Sequence, residues 1–239
     1  MSKLPSNLPK ILRDAGLKVK ETDGWQNRGR PASTGGFNPV GVLCHHTATG
    51  KSTPNANVEK LLINGRSDLP GPLCHLGLQR DGTVVVIAAG RANHAGKSKK
   101  SGSVAAGDGN ELYIGIEAYN NGTGETWSDA QYDAYVLLCA VLSVKVTKSS
   151  VQTVRAHKET SVTGKIDPTF PMDAFRVKVA AKMKQLSTPA KRPATKEKTS
   201  RGARIDRALA ELKKSHGSGE REQLIKQAIT ALEKIPKIR

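Results

Sequence analysis

The chain has 239 residues, with 38 Lys plus Arg against 21 Asp plus Glu, so its formal net charge is +17. Hydrophobic residues make up 37% and charged residues 25%, and no stretch approaches the roughly 18 apolar residues that a membrane-spanning helix needs. A folded α/β protein with an anionic partner is expected, and aromatic residues at 4% argue against single-stranded nucleic acid bound by base stacking. Three widely separated cysteines, Cys44, Cys74 and Cys139, form no C-x-x-C pair, which excludes a disulfide framework or a zinc ribbon. The first residues hold no apolar segment followed by a small-residue cleavage site, so no signal peptide is expected.

In chain order, Val40 to Thr47 reads as a strand that ends in polar groups. Thr53-Pro54 starts a helix through Val58, Leu61 and Leu62 that Gly65 stops. Cys74 to Arg80 and Thr83 to Ala88, joined by Asp81-Gly82, predict a β-hairpin. Tyr113 to Ala118 is a further strand, Ser128 to Gln131 a capping box for a helix through Leu142, and Pro171 opens a last helix through Met183. The sum is an α/β domain over 1–186, a mixed central β-sheet flanked by helices.

The Pro-, Thr- and Lys-rich run 187–203 reads as a solvated linker. Beyond it, Ile205, Leu209 and Leu212, then Leu224, Ala228, Leu232 and Ile235, recur at helical spacing around Gly217 and Gly219, which predicts a small C-terminal helical hairpin over 204–239. Residues 186–239 carry 14 Lys or Arg and 6 Asp or Glu, nearly half the net excess. That module serves either oligomerisation or binding to the cell envelope.

Polar clusters fall at strand ends: Cys44-His45-His46-Thr47, Asn93-His94-Ala95-Gly96, Glu117, and His157 with Lys165-Ile166-Asp167-Pro168. Successive strand residues face opposite ways, so His45 and His46 cannot both serve one site. Lys165 and Asp167, two apart and before a proline, face the same way. One strand His, His157 and Asp167 would make an open zinc site, in which water becomes a nucleophile at neutral pH. Hydrolysis of a carbonyl compound needs also a base and an oxyanion partner, types that Glu117 and Lys165 supply.

The segments G-V-L-C-H-H-T-A-T, C-H-L-G-L-Q-R-D-G-T-V, N-H-A-G, Y-I-G-I-E and A-H-K-E-x5-K-I-D-P, in this order from Gly41 to Phe175, resemble the zinc-dependent N-acetylmuramoyl-L-alanine amidases of the second type. With Arg28-Gly-Arg-Pro31 and the basic tail, the chain looks most like endolysins of phages that infect actinobacteria. The resemblance implies the type 2 amidase fold, one Zn2+ on His45, His157 and Asp167, and catalysis by Glu117 and Lys165. It implies bacterial peptidoglycan as substrate, with anionic envelope polymers as partners of the tail and no nucleic acid. The protein would stay in the host cytoplasm until lysis and then act on the cell wall. Some members place a Tyr where this chain has Cys74, which puts a tyrosine-assisted mechanism in doubt. Cys74, Asn93 and His94 are the candidate substrate contacts, while His46 and His75 are expected to pack, and neither Cys44 nor Cys74 to bind metal. A non-catalytic peptidoglycan-recognition protein is the alternative, and a basic nucleic-acid-binding protein a more distant one.

Overall fold

A computed structural model describes residues 2–188, together with Gln223. In chain order the elements are α1 (Leu8–Asp14), β1 (Val19–Glu21), β2 (Gly41–His46), α2 (Asn55–Asn64), β3 (Gly65–Arg66), β4 (Leu69–Pro70), β5 (Leu76–Leu78) and β6 (Val84–Val86). There follow β7 (Lys97–Ser98), β8 (Gly107–Asp108), α3 (Gly109–Leu112), β9 (Tyr113–Ala118), α4 (Asp129–Val141), β10 (Val154–Ala156), α5 (His157–Thr160) and α6 (Met172–Ser187). The expected linker over 187–203 and hairpin over 204–239 lie outside the described residues, apart from Ser187, Thr188 and Gln223.

The central sheet runs β1-β6-β5-β9-β2-β10. Only the β5–β6 pair is antiparallel, so the sheet is mixed, as expected, with helices on its faces. β9 sits at its centre with β2 beside it, and both are buried nearly throughout, which is why both read as continuous apolar runs. One face, with Val42, Cys44, Ile114, Ile116, Leu76 and Val86, packs against Tyr135, Leu138, Phe175 and Val179 of α4 and α6. The other face is covered in two separate patches, one formed with Val58 and Leu62 of α2 and one with Val104 beside Leu43 and Tyr113. The site lies on this second face.

Local chemistry sets the boundaries. Ser128 Oγ accepts from the Gln131 N–H at 3.1 Å and caps α4, but the Gln131 side chain does not reach back. It donates to Leu78 O and Tyr119 O instead, so half the expected capping box is spent on tying α4 to the sheet. The hairpin strands are shorter than expected, and Asp81-Gly82 lies within a longer connection from Gln79 to Thr83. Gly82 has φ +82 there, and Asp81 Oδ1 accepts from the Thr83 N–H.

Candidate metal centre and catalytic cleft

Register builds the site. β2 runs parallel to β9 with His45 opposite Glu117, and parallel to β10 with Cys44 opposite Ala156, so His157 leaves β10 beside His45. Adjacent strands lie about 4.8 Å apart, which brings three reactive side chains together although His45 and His157 are 112 positions apart in the chain. His45 is fixed from behind by Tyr135 of α4, whose hydroxyl accepts from the His45 N–H at 2.9 Å and lies 3.0 Å from its carbonyl oxygen. His157 opens α5, where Glu159 Oε2 accepts from the Ala156 N–H. Asp167 arrives on the loop after α5, held by a hydrogen bond from the Lys158 N–H to Asp167 O at 2.8 Å.

The donor atoms converge. His45 Nδ1 is 3.1 Å from His157 Nδ1 and 3.0 Å from Asp167 Oδ2, and His157 Nδ1 is 3.2 Å from the same oxygen. Four ligands at about 2.0–2.1 Å around tetrahedral zinc are separated by roughly 3.3 Å, so these three atoms have the spacing of one face of such a shell. Two ring nitrogens this close are repulsive when both carry protons or both present lone pairs to nothing; a shared cation resolves the conflict. All three residues are buried, and they form a group able to hold a metal ion.

Electrostatics agree with that geometry. Burial would raise the Asp167 carboxyl, but the adjoining His157 and His45 rings outweigh it and hold the group far below the usual carboxylate range. Burial pushes His45 down to about 4, against the pull of Asp167, so the ring is neutral and able to ligate. Glu117 Oε1 stands 4.0 Å from His45 Nδ1, and its Oε2 is buried without a partner among the described residues. Burial, and next the negative charge of Asp167, raise the Glu117 carboxyl well above its ordinary value, while Lys165 opposes the shift. A carboxyl whose hold on a proton is raised in this way is suited to proton transfer.

These groups open into a cleft of about 580 Å³. His45, His157, Asp167, Glu117, Lys165, His94 and Asn93 all line it, so seven of the expected site residues share one cavity. Lys165 and Asp167 both reach it, with the 60%-exposed Ile166 between them. Asn93 also braces the wall, its side-chain amide donating to Pro70 O at 2.8 Å. His46 also lines the cleft but is not one of the three converging donors, and its ring packs against the Gly122 backbone. His75 is fully buried, stacked on Phe37, and accepts from the Gly115 N–H.

Cys74 corrects an expectation. It is fully buried among Val58, Leu62, Val85, Ile87 and Tyr119 and does not line the cleft, so it is not a substrate contact. The expectation came from the position where some family members carry a Tyr, and the smaller Cys side chain stays within the apolar cluster. Burial, and next the neighbouring Glu117, push its thiol far up, which keeps it neutral and unreactive. Sequence reasoning missed Tyr135 as the clamp on His45, and also the apolar wall made by Leu61, Leu69 and Leu73 with Arg66 at the rim. Tyr135 read only as one more apolar position of its helix.

The cleft brings two imidazoles and one carboxylate together as a group able to hold a metal ion, with the separate Glu117 carboxyl beside them. Residues 36–170 match the family described as N-acetylmuramoyl-L-alanine amidase, more than half of the chain, and the chain belongs to that family. It is an enzyme of that activity, and its substrate is peptidoglycan. Among solved structures it is similar to the endolysin N-acetylmuramoyl-L-alanine amidase LysCS from Clostridium intestinale URNW, with 20% identity over 68% of this chain and 95% of that one, TM-score 0.47. It is also similar to AmpDh3 from Pseudomonas aeruginosa in complex with anhydromuramic pentapeptide, with 20% identity over 64% of each chain, TM-score 0.48. The Ph2119 endolysin of a Thermus scotoductus MAT2119 bacteriophage gives 18% identity over 68% of this chain and 99% of that one, TM-score 0.45. No curated protein sequence matches the chain significantly. No helix among the described residues is long and apolar enough to cross a membrane.

Proposed function

We propose that the protein is a zinc-dependent endolysin that cuts the amide between the lactyl group of N-acetylmuramic acid and L-alanine and so lyses its host. The observation that carries the reading is the convergence of His45 Nδ1, His157 Nδ1 and Asp167 Oδ2 within 3.0–3.2 Å of one another, with Glu117 Oε1 4.0 Å from the first. His45, His157 and Asp167 would hold a zinc ion, which would supply a Lewis acid to polarise the scissile carbonyl and acidify the attacking water. Glu117 takes the proton of the attacking water and passes it to the leaving amine of L-alanine, which its raised affinity for a proton favours. Lys165, exposed on the cleft wall, stabilises the negative charge that develops on the carbonyl oxygen. Leu61, Leu69 and Leu73 give the acyl and peptide parts an apolar wall.

The wider assignment follows from the same family and from charge. The catalytic domain occupies 1–186, and the basic residues that follow, 14 Lys or Arg against 6 Asp or Glu over 186–239, serve oligomerisation or hold the enzyme on anionic envelope polymers. The host is an actinobacterium, and the enzyme waits in its cytoplasm until the membrane is breached. Mass analysis of purified peptidoglycan after digestion tests the reaction. Free muramoyl ends and peptides beginning at L-alanine are expected, abolished by EDTA and restored by zinc; cleavage elsewhere, or digestion insensitive to EDTA, contradicts the proposal.

A further inference from the structure

We infer that His94, rather than touching substrate, is a positioning residue that fixes the tautomer of His45 and thereby aims the His45 Nδ1 lone pair at the metal. The inference rests on the reading of His45, His157 and Asp167 as metal ligands. A neutral imidazole has one N–H and one lone pair, so the partner of one nitrogen decides the state of the other. His94 Nε2 lies 3.3 Å from Tyr113 O, a group that can only accept, so Nε2 carries the proton. His94 Nδ1 is then an acceptor, and the atom it faces at 3.1 Å is His45 Nε2. His45 therefore donates from Nε2 and keeps its lone pair on Nδ1, the atom 3.0 Å from Asp167 Oδ2 and 3.1 Å from His157 Nδ1.

The chain builds this relay deliberately into its backbone. Asn110 Oδ1 accepts from the N–H groups of both His94 and Ala95 at 2.8 Å, which fixes where the His94 ring emerges. On β9, two residues before Glu117 and on the same face, stands Gly115. A Cβ there would lie 2.5 Å from His94 Cγ, so the missing side chain is the space in which the ring stands edge-on to His45, centroids 5.2 Å apart. His94 is only 8% exposed, as buried as Asp167 at 9%. The second ligand ring has no such support, since His157 Nε2 is buried without a partner among the described residues. His45 is thus the anchored ligand and His157 the adaptable one.

Zinc affinity of the full chain, measured by competition with a chromophoric chelator, tests the role together with circular dichroism of each variant. His94→Leu removes the acceptor and should weaken zinc binding about 10–100-fold. His94→Asn, whose Oδ1 can occupy the place of Nδ1, should recover most of that loss. A folded His94→Leu protein that binds zinc as tightly as the wild type overturns the inference. Two-bond proton–nitrogen correlation spectra of the zinc-loaded wild type, labelled with 15N-histidine, give a second reading that needs no variant. Protons on Nε2 of both His45 and His94 are expected, and a proton on Nδ1 of either overturns the inference. Failure of the underlying metal reading looks different: the wild type itself then takes up no zinc.

Discussion

Two clefts of nearly equal volume, about 580 and 560 Å³, indent this domain, and they differ in what their walls do with charge. In the cleft at the ends of β2 and β9, His45, His94, His157 and Asp167 are buried and directed at one another, and Glu117 is nearly so. In the other, between α4, α6 and the β5–β6 connection, Lys18, Asp81, Asp133, Lys178 and Lys182 all stand in solvent above apolar helix faces. Volume is therefore a poor guide to chemistry. What marks the first cleft is polar groups held out of water at positions that only the sheet register could have assembled.

Substitutions in the two clefts should separate accordingly. Glu117→Gln should lower kcat about 10²–10⁴-fold, the usual weight of a general acid/base, and Lys165→Ala about 10²-fold with KM little changed, because it acts on charge present only in the transition state. Steady-state kinetics on a soluble muropeptide check both, and a Lys165→Ala effect confined to KM would move that residue from catalysis to binding. At the small end, Lys182→Ala in the second cleft should leave turnover unchanged and stability within about 0.5 kcal/mol of the wild type. A large loss of activity there, with thermal unfolding unaltered, would break the contrast between the clefts.

The parts of this contrast that the sequence discloses are those written in short range. Gly41–His46 and Tyr113–Ala118 are legible as apolar runs ending in reactive groups, and α4 announces itself through Ser128. β10 is not legible, because three residues between helical turns carry too little pattern, yet it delivers His157. The ligand set came from resemblance; its physical reason, the parallel pairing of β2 with both β9 and β10, is a long-range fact that periodicity does not contain. Cys74 was misplaced because it was read from the position where some family members carry a Tyr, whereas here the small side chain is buried among Val58, Leu62 and Tyr119. The glycine in Tyr-Ile-Gly-Ile-Glu was the available clue to His94, since a glycine inside a buried strand often marks the close approach of another group.

The claim on which the rest depends is that His45, His157 and Asp167 act as one metal shell. Isothermal titration of the metal-free full chain with zinc, run beside Asp167→Ala and His157→Ala, measures it directly. One ion per wild-type chain, and affinity reduced by orders of magnitude in each variant with the fold retained, is the result expected. Equal zinc uptake by the wild type and by both folded variants would contradict the account.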